Sequence, residues 1–312
     1  MIGSVARRVG TRLALAILVL WGAATLSFIA LHLTAGDPAL AILGGPDARP
    51  TQEVLDQVRL EYGLNDPVIL QYLRYLGRLA TGDFGQSYQL RIGVLAAITE
   101  QIGATAQLAI TAGVLAVISS VALALLTAHR RPWIRSLSSG TEVVLASTPT
   151  FIIGFALLIV FAFTFRVFPI GGNNGVPALI LPAATLALSV IGTLTQVLRN
   201  ELEDVLEQPF ILTARTRGLR DSAVRVKHAL RHAAIPTITM SGFLVAALLG
   251  GSVITETLFA RQGVGTLLLN AVYAKDIPLV LGVVILSAGV YVVVNLIVDL
   301  AYTAVDPRVV TA

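Results

Sequence analysis

The sequence predicts an all-α polytopic membrane protein with six transmembrane helices, both ends in the cytoplasm, an extended structured outer loop and a basic cytoplasmic loop. Three observations carry this. The 312 residues are 55% hydrophobic and only 13% charged, with a mean hydropathy of +0.82, which leaves too little polar surface for a water-soluble globule. Six windows hold the roughly 20 apolar residues that a span needs: Thr11 to Leu33, Thr99 to Ala128, Leu137 to Phe165, Pro177 to Leu198, Ile235 to Phe259, and Pro278 to Tyr302. The basic residues then fall on alternate sides. Arg7, Arg8 and Arg12, the loop holding Arg130, Arg131 and Arg135, the stretch from Arg199 to Arg231, and Arg308 share one side, whereas the short loops opposite hold Arg166, Arg261 and Lys275. By the positive-inside rule the first group faces the cytoplasm; the remaining arginines lie in a loop too long to weigh.

In chain order, 1–33 reads as a cytoplasmic N-terminus and first span. Its apolar run exceeds the core of a signal peptide and no clean cleavage site follows, so an uncleaved anchor is expected. Residues 34–98 form the outer loop. Thr51 is placed to cap a helix reaching about Tyr62, and Asp66 with Pro67 marks the start of a second. There Ile69, Tyr72, Leu73, Leu76 and Leu79 recur at helical spacing, with Gln71, Arg74 and Arg78 on the other face. The amphipathic hairpin reads either as a lid on the membrane surface or as a docking surface for an external partner. Residues 99–312 make a five-helix core that includes the cytoplasmic loop 199–234.

Polar residues inside spans are informative because hydrocarbon penalises them unless they face protein or water. Thr185, Ser189, Thr193, Gln196 and Asn200 form a stripe on the fourth window, and Tyr291, Asn295 and Asp299 one on the sixth. Each reads as the wall of a hydrated pathway or as hydrogen bonding between helices. On the fifth window, Gly242, Ala246 and Gly250 make a small-residue face suited to close helix packing. Glu256, near the outer end of that window, reads as a buried acid bonded to a neighbouring helix or as a sensor of a transported species.

Several classes of chemistry are excluded. There is no cysteine, and the four histidines are scattered, so thiol catalysis and a metal site are not expected. No Gly-Lys-Ser/Thr occurs, since Lys227 and Lys275 follow Val226 and Ala274; a phosphate-binding loop cannot be built and no catalytic residue is assigned. "GVGTLL" at Gly263 lacks the third glycine of a dinucleotide fingerprint. No aromatic-interleaved basic surface for nucleic acid is present. The scarcity of central acids and bases, and of repeated halves, argues against a self-sufficient secondary transporter; a membrane scaffold without a pathway is a further alternative.

The stretch "FILTARTRGLRDSAVRVKHALRHAAIP", Phe210 to Pro236, is the most basic of the chain. Pro209 is suited to open a short helix and Gly218 to end it in a left-handed cap. Ser222 is suited to cap the next helix, which leads to Ile235 and Pro236 at the start of the fifth window. A hinged pair of helices joined to a span can turn a partner's push into helix motion.

"TARTRGL" at Thr213, with "IP" eighteen residues after the glycine, resembles the cytoplasmic EAA loop of ABC importer permeases of the dipeptide, oligopeptide and nickel subfamily. "GDPA" at Gly36, "YGLNDPVILQYLRYL" at Tyr62, "GDFGQSY" at Gly82, "STPTFIIG" at Ser147, "ETLFARQGVGTLLLNAV" at Glu256 and "VNLIVDLAYTAVDPR" at Val294 are similar, in order, to its B-type membrane subunit. The chain departs from that pattern at Pro209-Phe210, where an acid followed by tyrosine is usual. The resemblance implies a bacterial inner-membrane subunit without an ATPase site or bound cofactor of its own, with ATP and magnesium used by partner subunits. Those partners are two ABC ATPase subunits, a second homologous permease and an extracytoplasmic substrate-binding protein, alongside membrane lipid. It also implies that Pro209, Phe210, Thr213, Ala214, Arg215, Arg217 and Gly218 form the ATPase-coupling segment. The cargo it implies is a short peptide, with nickel chelates, glutathione and haem-like molecules in the same range.

Overall fold

A computed structural model describes residues 2–33, 37–44 and 49–305. Gly36, the Arg308 tail and the side chain of Asp299 lie outside the described residues, as do the side chains of Arg7 and Arg8. Among the described residues the secondary structure is helical, with one isolated bridge between Gln86 and Gly93.

In chain order the helices are α1 (Ile2–Leu33), α2 (Pro38–Ile42), α3 (Gln52–Glu61), α4 (Val68–Ala80), α5 (Val94–Thr127), α6 (Pro132–Ser147), α7 (Thr150–Leu157), α8 (Pro177–Leu206), α9 (Pro209–Thr216), α10 (Asp221–Ala223), α11 (Leu230–Thr239), α12 (Ser241–Leu258), α13 (Val264–Tyr273) and α14 (Ile277–Val305). π-helical segments follow α7 at Leu158–Thr164 and α10 at Val224–Ala229.

Among the described residues, four helices are long and apolar enough to cross a membrane: α1 over Gly10–Ala30, α5, α8, and α14 over Ile277–Val298. The third expected window is not one straight helix. α6 and the α7 segment meet at a bend of 105° and make a fifth span only if taken together. Pro149 explains the break, because a proline pushes the residue before it out of the helical region, and Thr148 is extended at φ −87° and ψ 122°. The fifth window is also divided, between α11 and α12 at Met240, and α12 has only 18 residues.

The chain packs as two units, Met1–Gly103 with Gly263–Val292, and Ala104–Gln262 with Val293–Ala312. The outer loop therefore shares a unit with the start of α5, with α13 and with the first half of α14. In the first unit Val94, Ala97 and Ile98 pack against Val264, Ala271, Leu279, Val280 and Val283. Asp276, fully buried, accepts hydrogen bonds from the Ser87 hydroxyl and, at 3.1 Å, from the Gln89 amide, pinning the "GDFGQSY" stretch to the turn before α14. The two hairpin helices begin and end within a residue or two of expectation, although Thr51 precedes α3 without a side-chain capping bond. The apolar face of α4 is only partly covered. Tyr72 meets Phe28 and the Thr25 hydroxyl, whereas Ile69 and Leu73 are exposed.

The second unit is organised around α8, whose buried face presents Leu186, Val190, Leu194 and Leu198. Leu108, Ala112 and Ala116 of α5 and Leu244 and Leu248 of α12 close one core against it. α6 approaches α8 at Gly192, where a Cβ would stand 2.5 Å from the Glu142 carbonyl oxygen, so only glycine permits this spacing. Of the expected small-residue face of α12, Gly242 lies outside the residues whose side chains are described. Ala246 and Gly250 are exposed, and the close contact falls at Gly251, whose added Cβ would meet Leu186 at 2.8 Å. Glu256 is buried and accepts a 2.6 Å bond from Thr105 on α5, matching the reading of an acid bonded to a neighbouring helix.

Candidate functional site: the hinged loop and the polar face of α8

The loop between α8 and α12 is folded by its apolar minority. α9 starts at Pro209, which occupies a first-turn position where no amide donor is needed. Its two inward residues, Ile211 and Ala214, are buried with Leu198, Leu202 and Leu206 of α8 and with Val224, Ala229 and Ala233 downstream. The helix ends as expected. Gly218 has φ +81°, its amide donates to the Arg215 carbonyl at 2.9 Å, and the Leu219 amide donates to the Ala214 carbonyl at 3.4 Å. This pair of bonds is the Schellman closure, which needs a left-handed residue. An added Cβ at Gly218 would meet nothing within 4 Å, so the demand for glycine there comes from backbone conformation and not from space.

Of the expected coupling residues, Pro209, Phe210, Thr213, Arg215, Arg217 and Gly218 are exposed. Ala214 faces the core and anchors α9. The exposed Leu212 and Leu219 were overlooked in the sequence. Ser222 is corrected, because the next helix begins one residue earlier, with Arg220 before it and Asp221 in its first turn. An acid there suits the positive end of a helix. Asp221 accepts from Arg225 Nε at 2.7 Å and from Arg215 Nη2 at 3.1 Å. The Arg225 hydrogen bond holds its carboxyl below the usual carboxylate range against a smaller opposing effect of burial, with Arg215 helping. Pro236 does not start a helix: it lies within α11, which continues to Thr239.

The expected stripe on α8 divides along its length. Thr185 is fully buried and its hydroxyl donates to the Leu181 carbonyl at 2.8 Å, so it belongs to the packing. Ser189 and Thr193 are half-buried, and Gln196 and Asn200 are exposed. Among the described residues no hydrogen bond engages the side chains of Gln196 and Asn200. Gln196 lies within the fourth apolar window, where an exposed amide is costly against hydrocarbon, so this face of α8 calls for water or a polar protein surface there. On α14, Tyr291 is exposed and Asn295 half-buried.

Comparison with known proteins decides what this architecture belongs to. A family model described as the binding-protein-dependent transport system inner membrane component matches residues 120–311, which include the whole hinged loop. The chain belongs to this family. It is 34% identical over 307 residues to a Brucella abortus (strain 2308) relative provisionally named a peptide transport system permease protein, covering 96% of this chain and 97% of the relative. It is 34% identical over 313 residues to the oligopeptide transport system permease protein AppB of Bacillus subtilis (strain 168), covering 96% and 97%. Over 285 residues it is 34% identical to the glutathione transport system permease protein GsiC of Escherichia coli O1:K1 / APEC, covering 91% and 92%. It is a multi-pass inner membrane component of an ABC transport system.

In this ABC transporter permease, the charges nearest the hinged loop are mostly internal partners. Arg199 was expected among the solvent-facing basic residues. It is instead buried on α8, donating to Glu142 Oε1 at 2.6 Å and to Ser139 at 2.9 Å. Glu203, one turn further, accepts from Arg135 at 2.8 Å and from the His129 amide at 3.3 Å. Arg225 donates to the Ala128 carbonyl at 2.9 Å and is buried too. Charged contacts thus bind α8 and the loop to α6 and to the turn that follows α5. One signal was available: Glu142 is an acid within the third apolar window, and an acid there requires a partner.

Proposed function

We propose that this chain is one of two permease subunits of an ABC importer for short peptides, and that it couples its pathway to ATP hydrolysis by partner ATPases through α9. The proposal includes six spans, with α6–α7 and α11–α12 each acting as a broken span, and both ends in the cytoplasm. The observation that carries it is the two-sidedness of α9. Ile211 and Ala214 are sunk into the same core as the last turns of α8, while Phe210, Thr213 and Arg217 are exposed. A partner holding the exposed side moves the α8 end with it, because the buried side is close-packed and transmits displacement. ATP contacts in the ATPases supply the differential free energy between inward- and outward-facing states. The names of the relatives, peptide, oligopeptide and glutathione, support short peptides as cargo, delivered by an external binding protein. The Ser189 to Asn200 face of α8 lines the pathway, opposite the second permease.

The native chain lacks cysteine, which makes the coupling contact directly testable. Phe210→Cys and Thr213→Cys should each cross-link to the copurified ATPase through a short thiol-reactive linker, and Ala214→Cys should not. Cross-linking from Ala214→Cys alone, or from none of the three in an assembled complex, would contradict α9 as the contact.

A further inference from the structure

In the first packing unit, a cavity of about 150 Å³ lies between α1, the α3–α4 hairpin and the start of α14. It plays no part in coupling or in the α8 face. Its walls are aromatic: Phe28 stacks near Tyr75 with centroids 5.9 Å apart, and Tyr62 meets Tyr88 edge-on at 5.5 Å. The polar groups around it are unbalanced in their hydrogen bonding. Several acceptors beside it are engaged. Gln71 Oε1 lies 3.3 Å from His32 Nε2, Asp66 Oδ2 accepts from Arg74 at 2.7 Å, and Asp83 accepts from Arg78 at 2.9 Å and from the Gly85 amide at 2.8 Å.

Donors, by contrast, are left over. Arg74 and Arg78 each commit a single nitrogen to their aspartates, whereas a guanidinium carries five N–H groups. The Tyr75 hydroxyl is buried with no hydrogen-bond partner, and burial pushes its pKa up to about 12, so it is held in the protonated, donating form. A buried, unpartnered Tyr75 hydroxyl beside two half-exposed guanidinium groups and apolar walls selects a ligand with an anionic, acceptor-rich end and a small apolar body. We infer that this cavity binds a small carboxylate whose body is aromatic or branched aliphatic, with the carboxylate on Arg74, Arg78 and Tyr75 and the body between the aromatic rings. The paired aspartates leave the two arginines without net excess charge, so recognition depends on directed N–H and O–H bonds more than on field strength. A cavity of about 150 Å³ suits a body of amino-acid side-chain size.

The test uses the full chain with its copurifying subunits in phosphatidylcholine nanodiscs, without nucleotide, so that binding is read independently of transport. N-acetyl-L-phenylalanine should bind, and its amide, N-acetyl-L-phenylalaninamide, should bind at least about tenfold more weakly, since a hydrogen bond to a charged group is worth about 1.5–3 kcal/mol. Tyr75→Phe keeps the ring and both ion pairs, and should weaken the acid by about tenfold while leaving the amide and the thermal unfolding midpoint unchanged. Equal binding of acid and amide, or full affinity for the acid in Tyr75→Phe, would overturn the inference. Loss of acid binding when phosphatidylglycerol is added to the nanodiscs would also overturn it, by assigning the donors to a lipid phosphate.

Discussion

Arg199→Met should remove most of the folded permease from the membrane. The substitution leaves Glu142 buried without its counter-charge, and breaking a buried pair from one side costs about 3–5 kcal/mol. That is a large share of the 5–15 kcal/mol or so by which proteins are typically stable. The pair is also only partly satisfied: Glu142 Oε2 and Arg199 Nε are buried with no hydrogen-bond partner. Replacing both residues therefore removes a desolvation cost along with the attraction. Arg199→Met combined with Glu142→Leu should recover the thermal midpoint of the parent or exceed it. A midpoint unchanged in Arg199→Met alone would mean that the α6–α8 contact does not depend on this pair. If the double variant folds but no longer couples ATP hydrolysis to cargo, the pair serves the motion of α8 as well as its stability.

Gly218→Val should uncouple the transporter while leaving it assembled. At φ +81° a β-branched residue carries strain of about 1–3 kcal/mol, which depopulates the capped turn roughly 5- to 150-fold. The position is sterically open, so the α8 core itself is not disturbed. Substrate-stimulated ATP turnover and uptake should fall together by about tenfold or more. Gly218→Asn should retain most of both, because asparagine tolerates the left-handed region. Normal stimulated turnover in Gly218→Val would remove the hinge from the account.

The features legible in the sequence were those that depend on neighbours along the chain. Pro209 and Gly218 bracket α9 because a proline suits a helix start and a glycine the left-handed closure, and both rules act within one helical turn. The same locality explains the corrections. Ser222 and Pro236 are plausible boundaries taken alone, yet Asp221 pairs with Arg215 and Arg225, a π-helical turn begins at Val224, and α11 runs past its proline. Thr185 shares helical phase with Ser189, but only tertiary packing shows that the α7 region covers it and not the rest of the stripe: a Cβ at Gly154 would approach its methyl at 3.2 Å. The Arg199–Glu142 pair joins two separate windows, so hydropathy counted Arg199 as a topological charge.

The claim that this chain lines a pathway is tested most directly by thiol accessibility along α8. In the cysteine-free background, Ser189→Cys, Thr193→Cys and Gln196→Cys lie on the face not used for packing, whereas Leu186→Cys and Leu194→Cys replace core residues that are 0% and 3% exposed. A small, membrane-impermeant, hydrophilic thiol reagent should label the first three at least about tenfold faster in the reconstituted transporter, since a buried thiol is shielded from it. Their rates should shift when ATP is trapped on the partner ATPases, because the pathway then opens to the other side. Equal, slow labelling at all five positions in both nucleotide states would contradict the account and assign the polar face of α8 to packing against another subunit.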